Sequence, residues 1–210
     1  ILTFCIKMNM KQEIGNDYQP SVGEVNKYLD RWMHMENYVN QEKALNKLFF
    51  DLCRRNDNIE DILIKCSTLN DFYSTNIFDI HSVAKHILEL NIDSRLEGGD
   101  VTLINDIANV YVGVNHEHRY FYSFATKYCS HHQPLKYSIY DRYVDDVLNF
   151  FRRKDNFTSL KFNSEKLRKD YALYINVIKA FQKYYNLSEF NLKQMDQYLW
   201  QLGRDYYSPY

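Results

Sequence analysis

The chain has 210 residues, of which 45% are hydrophobic and 25% are charged, and its formal net charge at pH 7 is −1. Six glycines and three prolines are too few for the many turns of an all-β or a parallel α/β fold. No apolar run approaches the ~20 residues that a membrane span needs. Four cysteines with no C-x-x-C pair argue against a zinc ribbon or a disulfide framework. We therefore predict an all-α protein of the reducing cytoplasm, without membrane contact.

Capping residues, and apolar residues that recur at three- and four-residue steps, predict a series of helices. Ser21 and Glu24 have the spacing of a capping box at the first of them. The predicted helices cover 22–38, 41–55, the segment after Asn58, 80–90, 100–112, 124–131, 142–153, 164–185 and 191–202, with further caps at Asp79, Asp100, Asp141 and Asn191. We expect a loop over 70–77, no strand, and helix ends at Gly113 and Gly203.

The sequence has no low-complexity linker that would mark a domain boundary. Residues 1–20 are predicted to be an atypical or flexible leader, because their apolar start has neither a basic residue before it nor a small-residue cleavage site. Residues 21–210 are predicted to form a single all-helical domain, either as one body or as two lobes that meet near Gly98 with a cleft between them. The hairpin and the catalytic region are expected between about residues 100 and 153.

Lys127 and Asp141 are the candidate catalytic residues. Lys127 falls in the first turn of the helix predicted over 124–131, where the macrodipole disfavours a cation. A helix N-terminus and apolar surroundings both lower the pKa of a lysine, so this amine is expected to be partly neutral and nucleophilic. A neutral amine that faces a carboxylate held at a helix cap suits chemistry at a carbon that becomes cationic. The alternative from the residues alone is a solvated lysine and an ordinary cap.

Two short motifs around these residues carry a resemblance. Residues 123–128, S-F-A-T-K-Y, resemble the G-V-G-x-K hairpin segment of helix-hairpin-helix DNA glycosylases, and I-Y-D-R-Y-V over 139–144 resembles their V-D-x-x-V. Over about 60–150, and more weakly over 190–203, the chain is similar to the 8-oxoguanine DNA glycosylase-like branch of small bacterial proteins. The resemblance implies a helix-hairpin-helix fold in which Lys127 forms a Schiff base and Asp141 is the catalytic aspartate.

The resemblance also implies a function. The protein would be a base-excision repair glycosylase, with AP lyase activity, that removes an oxidised purine such as 8-oxoguanine from double-stranded DNA through a lysine imine. The damaged base would be extruded from the duplex into a pocket of the protein. No cofactor is implied, and no protein partner is indicated. A non-catalytic helix-hairpin-helix DNA-binding module and a helical protein-interaction adaptor stay open as alternatives.

Ser123 and Ala125 stand where that family has hairpin glycines, which let the backbone approach a DNA phosphate. Residues 152–169 are the most basic stretch, which is either a phosphate-binding surface or a solvated helix face. The candidate DNA contacts are Ser123, Ala125, Thr126, Arg142, Arg152, Arg153 and Lys154, and the candidate base-pocket residues are Tyr122, Phe124 and His132. The Cys129–His132 segment resembles a fragment of a metal site, but no second pair of ligands accompanies it, so no metal is predicted.

Overall fold

The computed structural model describes residues 14–207, and most of them are helical, so the predicted all-α class is confirmed. The helices are α1 (Val22–Met33), α2 (Glu36–Asn46), which a π-helix (Lys47–Leu52) continues, α3 (Ile59–Tyr73), α4 (Ile80–Glu89), α5 (Asp93–Gly98), α6 (Leu103–Ala108), α7 (Tyr122–His132), α8 (Arg142–Asp155), α9 (Ser164–Leu167), α10 (Tyr171–Tyr184) and α11 (Leu192–Tyr207). Between α6 and α7, strands β1 (Asn109–Val112) and β2 (Glu117–Tyr120) pair antiparallel, with Asn109 opposite Tyr120.

Side-chain caps explain where several helices begin. Side-chain oxygens of Ser21, Asn58, Asp79, Asp141 and Asn191 accept hydrogen bonds from backbone N–H groups in the first turns of α1, α3, α4, α8 and α11. Each cap satisfies a donor that has no partner within its own helix. These five predicted caps are therefore confirmed. Asp100 accepts from the N–H of Thr102, but α6 begins only at Leu103.

The prediction of no strand, and of one helix over 100–112, is wrong. Helix α6 ends at Ala108, and β1 follows it directly. The segment N-V-Y-V is rich in β-branched and aromatic residues, and its burial alternates, with Val110 buried and Tyr111 exposed. Gly113, expected to end a helix, instead adopts a left-handed φ of 69° in the turn of the β-hairpin.

Two predicted helices are interrupted, and one is longer than expected. The helix predicted over 22–38 is divided into α1 and the start of α2. The helix predicted over 164–185 is divided into α9 and α10, because Asp170 caps α10 by accepting from the N–H of Leu173 at 2.9 Å. Helix α3 continues to Tyr73, into the segment predicted as a loop.

Gly203, predicted to end the last helix, lies inside α11 and permits its packing. A Cβ at this position would lie 2.5 Å from the carbonyl oxygen of Tyr143, closer than real Cβ atoms come to a neighbour. A glycine is required there because α8 and α11 approach each other closely. The packing holds the start of α8 against α11.

The helices share one continuous core of buried side chains. Helices α1, α2, α8, α10 and α11 form one group of packed elements, and α3, α4, α6 and α7 form a second. The π-helix contacts both α2 and α7 and so joins the two groups. The described residues therefore form one body, with space between the two groups for a cavity.

The predicted leader is only partly covered, because residues 1–13 lie outside the described residues. Ile14 is buried in the core, and the hydroxyls of Tyr18 and Tyr198 hydrogen-bond to each other at 3.1 Å. Residues 14–20 therefore belong to the folded body. Among the helices that the structure describes, none combines the length and the apolar character needed to cross a membrane.

Candidate active site

A cavity of about 260 Å³ opens between α1, α2, α3, α7, α8 and α11. Part of its wall is aromatic, because Trp32, Tyr38 and Trp200 pack against one another with ring centroids 5.1 to 6.0 Å apart. Its ionisable and amide-bearing residues include Glu42, Lys127, His131, Asp141, Lys193, Asp196 and Gln197. An apolar wall with a few convergent polar groups is typical of a small-molecule site, and such sites usually occupy ~300–1,000 Å³. The size and the aromatic wall together favour a small, flat ligand.

Lys127 reaches this cavity from the second turn of α7, and its side chain is almost completely enclosed, with 4% exposed. Its Nζ donates to the Oγ of Ser123 at 2.5 Å and lies 5.2 Å from the centre of the Tyr73 ring. Burial lowers the pKa of Lys127, while the charges of Asp141 and Asp196 oppose that shift. Of the two predicted causes of a lowered pKa, apolar surroundings are therefore confirmed, whereas the helix N-terminus is wrong because Lys127 is not in the first turn of α7.

Asp141 lies at the same cavity, where it caps α8. Its carboxylate accepts a hydrogen bond from the N–H of Tyr143 at 2.9 Å. The loop before α8 is tied to α7 through Tyr140, whose carbonyl accepts from Ser123 Oγ at 3.2 Å and whose N–H donates to Thr126 Oγ1 at 3.1 Å. An amine and a carboxylate from neighbouring helices thus share one cavity.

A second cavity, of about 300 Å³, borders the same lysine. Four residues line both cavities, namely Tyr73, Ser74, Lys127 and Asp141. Tyr122 and Phe124, predicted for the base pocket, line this second cavity and not the aromatic one. The hydroxyl of Tyr122 is buried and has no hydrogen-bond partner among residues 14–207. The lysine and the aspartate therefore stand where two cavities meet.

Two further titratable groups face the aromatic cavity, and the sequence did not place them there. Asp196 accepts from the hydroxyl of Ser138 and from the N–H of Ile139, and burial raises its pKa to about 7. His131 is hydrogen-bonded to the hydroxyl of Tyr73 at 2.8 Å, and burial lowers its pKa to about 3. No local motif distinguishes Asp196, and the metal-like fragment that contains His131 does not indicate this position, because packing alone turns both side chains towards the cavity.

Glu42 is the centre of a polar cluster in the aromatic cavity. Its carboxylate accepts from Trp32 Nε1 at 2.9 Å and from Gln197 Nε2 at 3.4 Å, and it pairs with Lys193 Nζ at 3.2 Å. These contacts tie α1, α2 and α11 together at one end of the cavity. They also give the aromatic wall a polar edge with both donors and acceptors.

His132 lines neither of these cavities, which corrects one predicted base-pocket residue. Its Nε2 lies 3.3 Å from the Nζ of the buried Lys65, and its ring is 4.8 Å from that of Phe49. Burial lowers the pKa of His132 as it does that of His131. Successive residues of a helix point about 100° apart, so the two histidines face different parts of the interior.

The hairpin predicted at residues 123–125 is not formed. These residues make the first turn of α7, and the longer β-hairpin connects α6 to α7. Ala125 and Thr126 are completely buried, which excludes both as phosphate contacts and corrects that prediction. Ser123 lines the second cavity, but its hydroxyl is already hydrogen-bonded within the protein.

The predicted basic contacts differ in their accessibility. The prediction of Lys154 as a DNA contact is wrong, because its Nζ already donates to the carbonyl of Tyr18 and to the carboxylate of Asp155, each at 3.0 Å. Three predicted contacts stay wholly or partly accessible, namely Arg142, Arg152 and Arg153. They lie at the two ends of α8.

The side chains of the metal-like fragment Cys129–His132 point in different directions, because the fragment is helical. Cys129 is a buried free thiol whose pKa burial raises, and His131 and His132 point elsewhere. Within the described part of the chain, no three His, Cys, Asp or Glu side chains form a group suited to hold a metal ion.

Comparison with known proteins gives a family and a relative. The HI_0787_N family, described as an N-terminal domain, matches residues 24–136. An uncharacterized protein of Haemophilus influenzae is 45% identical over 148 residues, which are 70% of this chain and 68% of that protein. No solved structure matches the chain. The matched family segment contains Lys127 but neither Asp141 nor Trp200.

Proposed function

The chain belongs to the HI_0787_N family, and we propose that it is a DNA glycosylase with AP lyase activity that removes an oxidised purine from double-stranded DNA. One observation carries the proposal. The buried Lys127, whose pKa is lowered, shares a cavity with Asp141, and that cavity has an aromatic wall and the size for one base.

The wall of the cavity suits a nucleobase. Trp32, Tyr38 and Trp200 present aromatic rings, and base–aromatic stacking contributes ~1–3 kcal/mol per base. Glu42 and Gln197 add hydrogen-bonding groups at the cavity edge. An extruded purine therefore finds both stacking and polar recognition beside the lysine, and these offset the cost of leaving the duplex.

The chemistry follows from the two central groups. The lone pair of Lys127 Nζ attacks C1′ of the extruded nucleotide, and the bond from C1′ to the base breaks with its electron pair leaving on the base. The base takes up one proton that the amine releases. The C1′–O4′ bond then breaks with its electron pair on O4′, which takes up the second amine proton, and an imine remains between Nζ and C1′. Asp141 stabilises the positive charge that develops at C1′. Loss of a C2′ proton then expels the 3′ phosphate, which is the lyase step.

We propose that the protein acts in the cytoplasm. Cys53, Cys66 and Cys129 are buried free thiols, as is usual in a reducing compartment. Burial raises the pKa of Cys66 to about 12, which keeps this thiol protonated and unreactive.

Borohydride trapping tests the proposal. Wild-type protein is incubated with a duplex that contains 8-oxoguanine, and borohydride reduces any imine to a stable amine that joins protein and DNA on a denaturing gel. We expect a trapped adduct with wild type and none with Lys127→Met. The variant replaces the buried amine by an unbranched apolar side chain that is one atom shorter, so it is expected to fold, which circular dichroism checks.

Two matched variants locate the chemistry. Lys193→Met removes the other lysine of the same cavity and is expected to leave the adduct intact. Asp141→Asn keeps the helix cap, because asparagine caps as well as aspartate, and is expected to slow base release by about a hundredfold or more. Wild type that binds the duplex but forms no adduct would support a non-catalytic DNA-binding module. Wild type that binds no duplex would leave the protein-interaction adaptor.

A further inference from the structure

A separate pocket of about 500 Å³ lies at the C-terminal end of α8, in the loop that leads to α9. Its lining residues include three cations and no carboxylate. The residues that line the pocket are Arg152, Asn156, Thr158, Ser159, Leu160, Lys161, Phe162, Asn163 and Lys166. Hydroxyl and amide groups thus stand beside the three cations. This α8-end pocket has the composition of an anion site.

The guanidinium of Arg152 is held in place without an acceptor. Its central carbon lies 5.4 Å from the centre of the Phe162 ring. Its Nε is buried and has no hydrogen-bond partner in the described structure, and the side chain forms no ion pair there. The rest of the guanidinium is partly accessible, and an anion in the pocket would give this charged group the acceptor that it lacks.

The two lysines of the pocket, Lys161 and Lys166, form no ion pair among the described residues, although other lysines near them in the sequence do. Lys166 Nζ donates to the carbonyl of Lys161 at 3.3 Å, which brings the two lysines to the same rim. Neither has an acidic partner among the described residues. Close by in sequence, Lys154 pairs with Asp155 and Lys169 pairs with Glu165. The positive charge is therefore left uncompensated at the pocket and is neutralised beside it.

We propose that the α8-end pocket binds a phosphate group. Three cations that line one pocket with hydroxyl and amide donors match a phosphate oxyanion, and arginine is well suited to hold two of its oxygens. The pocket itself does not depend on the proposed glycosylase activity. Only the source of the phosphate does, and under that activity it is the backbone of the DNA substrate.

The position of the pocket fits a DNA backbone that leads away from the lysine. Arg152 follows Asp141 by close to three helical turns, so the two lie on similar faces of α8 about 16 Å apart. Next to Asp141 in the chain, the hydroxyl of Tyr140 accepts from Arg168 at 3.1 Å, and the carbonyl of Arg168 accepts from Tyr120 beside the second cavity. A distance of about 16 Å corresponds to roughly five base pairs of duplex.

The first experiment titrates inorganic phosphate into the full chain at constant ionic strength and follows backbone amide signals by NMR. We expect saturable shifts confined to residues 156–166. Arg152→Gln and Lys161→Gln should each weaken phosphate binding by about tenfold, as expected for one charge-assisted hydrogen bond. Arg153→Gln, which removes the adjacent exposed arginine, is the matched control and should bind as wild type does.

Lys161 is a surface residue, so its variant keeps the test valid if Arg152→Gln does not fold. Absence of saturable shifts in wild type would overturn the proposal, as would an equal loss with Arg153→Gln.

The second experiment identifies the source of the phosphate. Binding of an undamaged duplex is measured across salt, and Arg152→Gln should reduce the slope of log K against log salt by about one. If inorganic phosphate binds but this slope does not change, the pocket stands and its ligand is a free phosphorylated molecule. Borohydride trapping is scored separately, so loss of the glycosylase proposal leaves the phosphate titration to stand or fall alone.

Discussion

Replacement of Gly203 by alanine tests the packing that places Asp141 and Asp196 at the same cavity. Gly203 lies inside α11 and faces the backbone of Tyr143 at the start of α8. Asp141 caps α8, and Asp196 lies on α11. Any change in the spacing of these two helices therefore changes the cavity that contains Lys127.

Two opposing effects set the change in stability at Gly203. In an exposed helix, glycine to alanine stabilises by about 0.4–1 kcal/mol, because the unfolded chain loses freedom. At Gly203 the new Cβ would lie 2.5 Å from a backbone oxygen and 2.7 Å from the Tyr143 Cβ. Backbone cannot rotate away, so the helices must separate, and such overpacking costs about 1–3 kcal/mol. We expect a net loss of about 1–2 kcal/mol, or a Tm lower by about 2–8 °C.

Gly98→Ala is the matched control, because Gly98 ends α5 and nothing lies within 4 Å of the place that its Cβ would take. Guanidinium denaturation should show Gly98→Ala unchanged or slightly more stable than wild type, and Gly203→Ala less stable. A Gly203→Ala protein as stable as wild type would refute the close-packing argument. It would also mean that α8 and α11 can move apart without cost to the fold.

Other consequences can be measured on the same cavity. Burial raises the pKa of Asp196 from 3.8 to about 7, so the folded state holds a proton that the unfolded state has lost. As the pH rises from about 4 to 7, the free energy of unfolding of the wild type should therefore fall by about 1 kcal/mol per pH unit relative to that of Asp196→Asn. Above about pH 7 the difference should stay constant. Denaturation of both proteins across this range checks it, and a constant difference would contradict a buried carboxyl. The only two tryptophans of the chain, Trp32 and Trp200, both line the cavity. Binding of a lesion duplex to Asp141→Asn should therefore change tryptophan emission, and saturable binding without a change would place the base elsewhere.

Sequence and structure agree best where the controlling interaction is local. Asn58, Asp79 and Asp141 cap the helices that follow them, because each side chain reaches a backbone donor within three residues. The apolar spacing that predicts α3, α4 and α8 reflects the same short range. Lys127 and Asp141 also share a cavity, as the resemblance to glycosylases implies.

Disagreement appears where distant residues decide the outcome. Gly203 has the position of a helix terminator, yet contact with α8 makes it an interior residue. The apolar residues of the N-V-Y-V segment continue the helical spacing of the residues before it, yet the segment pairs with Glu117–Tyr120 as a strand. Residues 123–125 resemble a hairpin, but without the glycines that a tight turn uses they form the first turn of α7.

The amino-acid sequence by itself determined the all-α class and most helix starts, because these depend on neighbours a few positions away. The two residues proposed to react, Lys127 and Asp141, were predicted from the resemblance of two short motifs. Only the tertiary structure decided that Asp196, His131 and Glu42 line the cavity of Lys127 and Asp141 and that His132 does not. It also decided that Lys154 is paired within the protein and that the Nε of Arg152 has no acceptor among the described residues. These outcomes depend on which helix faces meet, and on how much water each side chain loses when they do. Pairing and desolvation across the fold are long-range properties that no short stretch of residues contains.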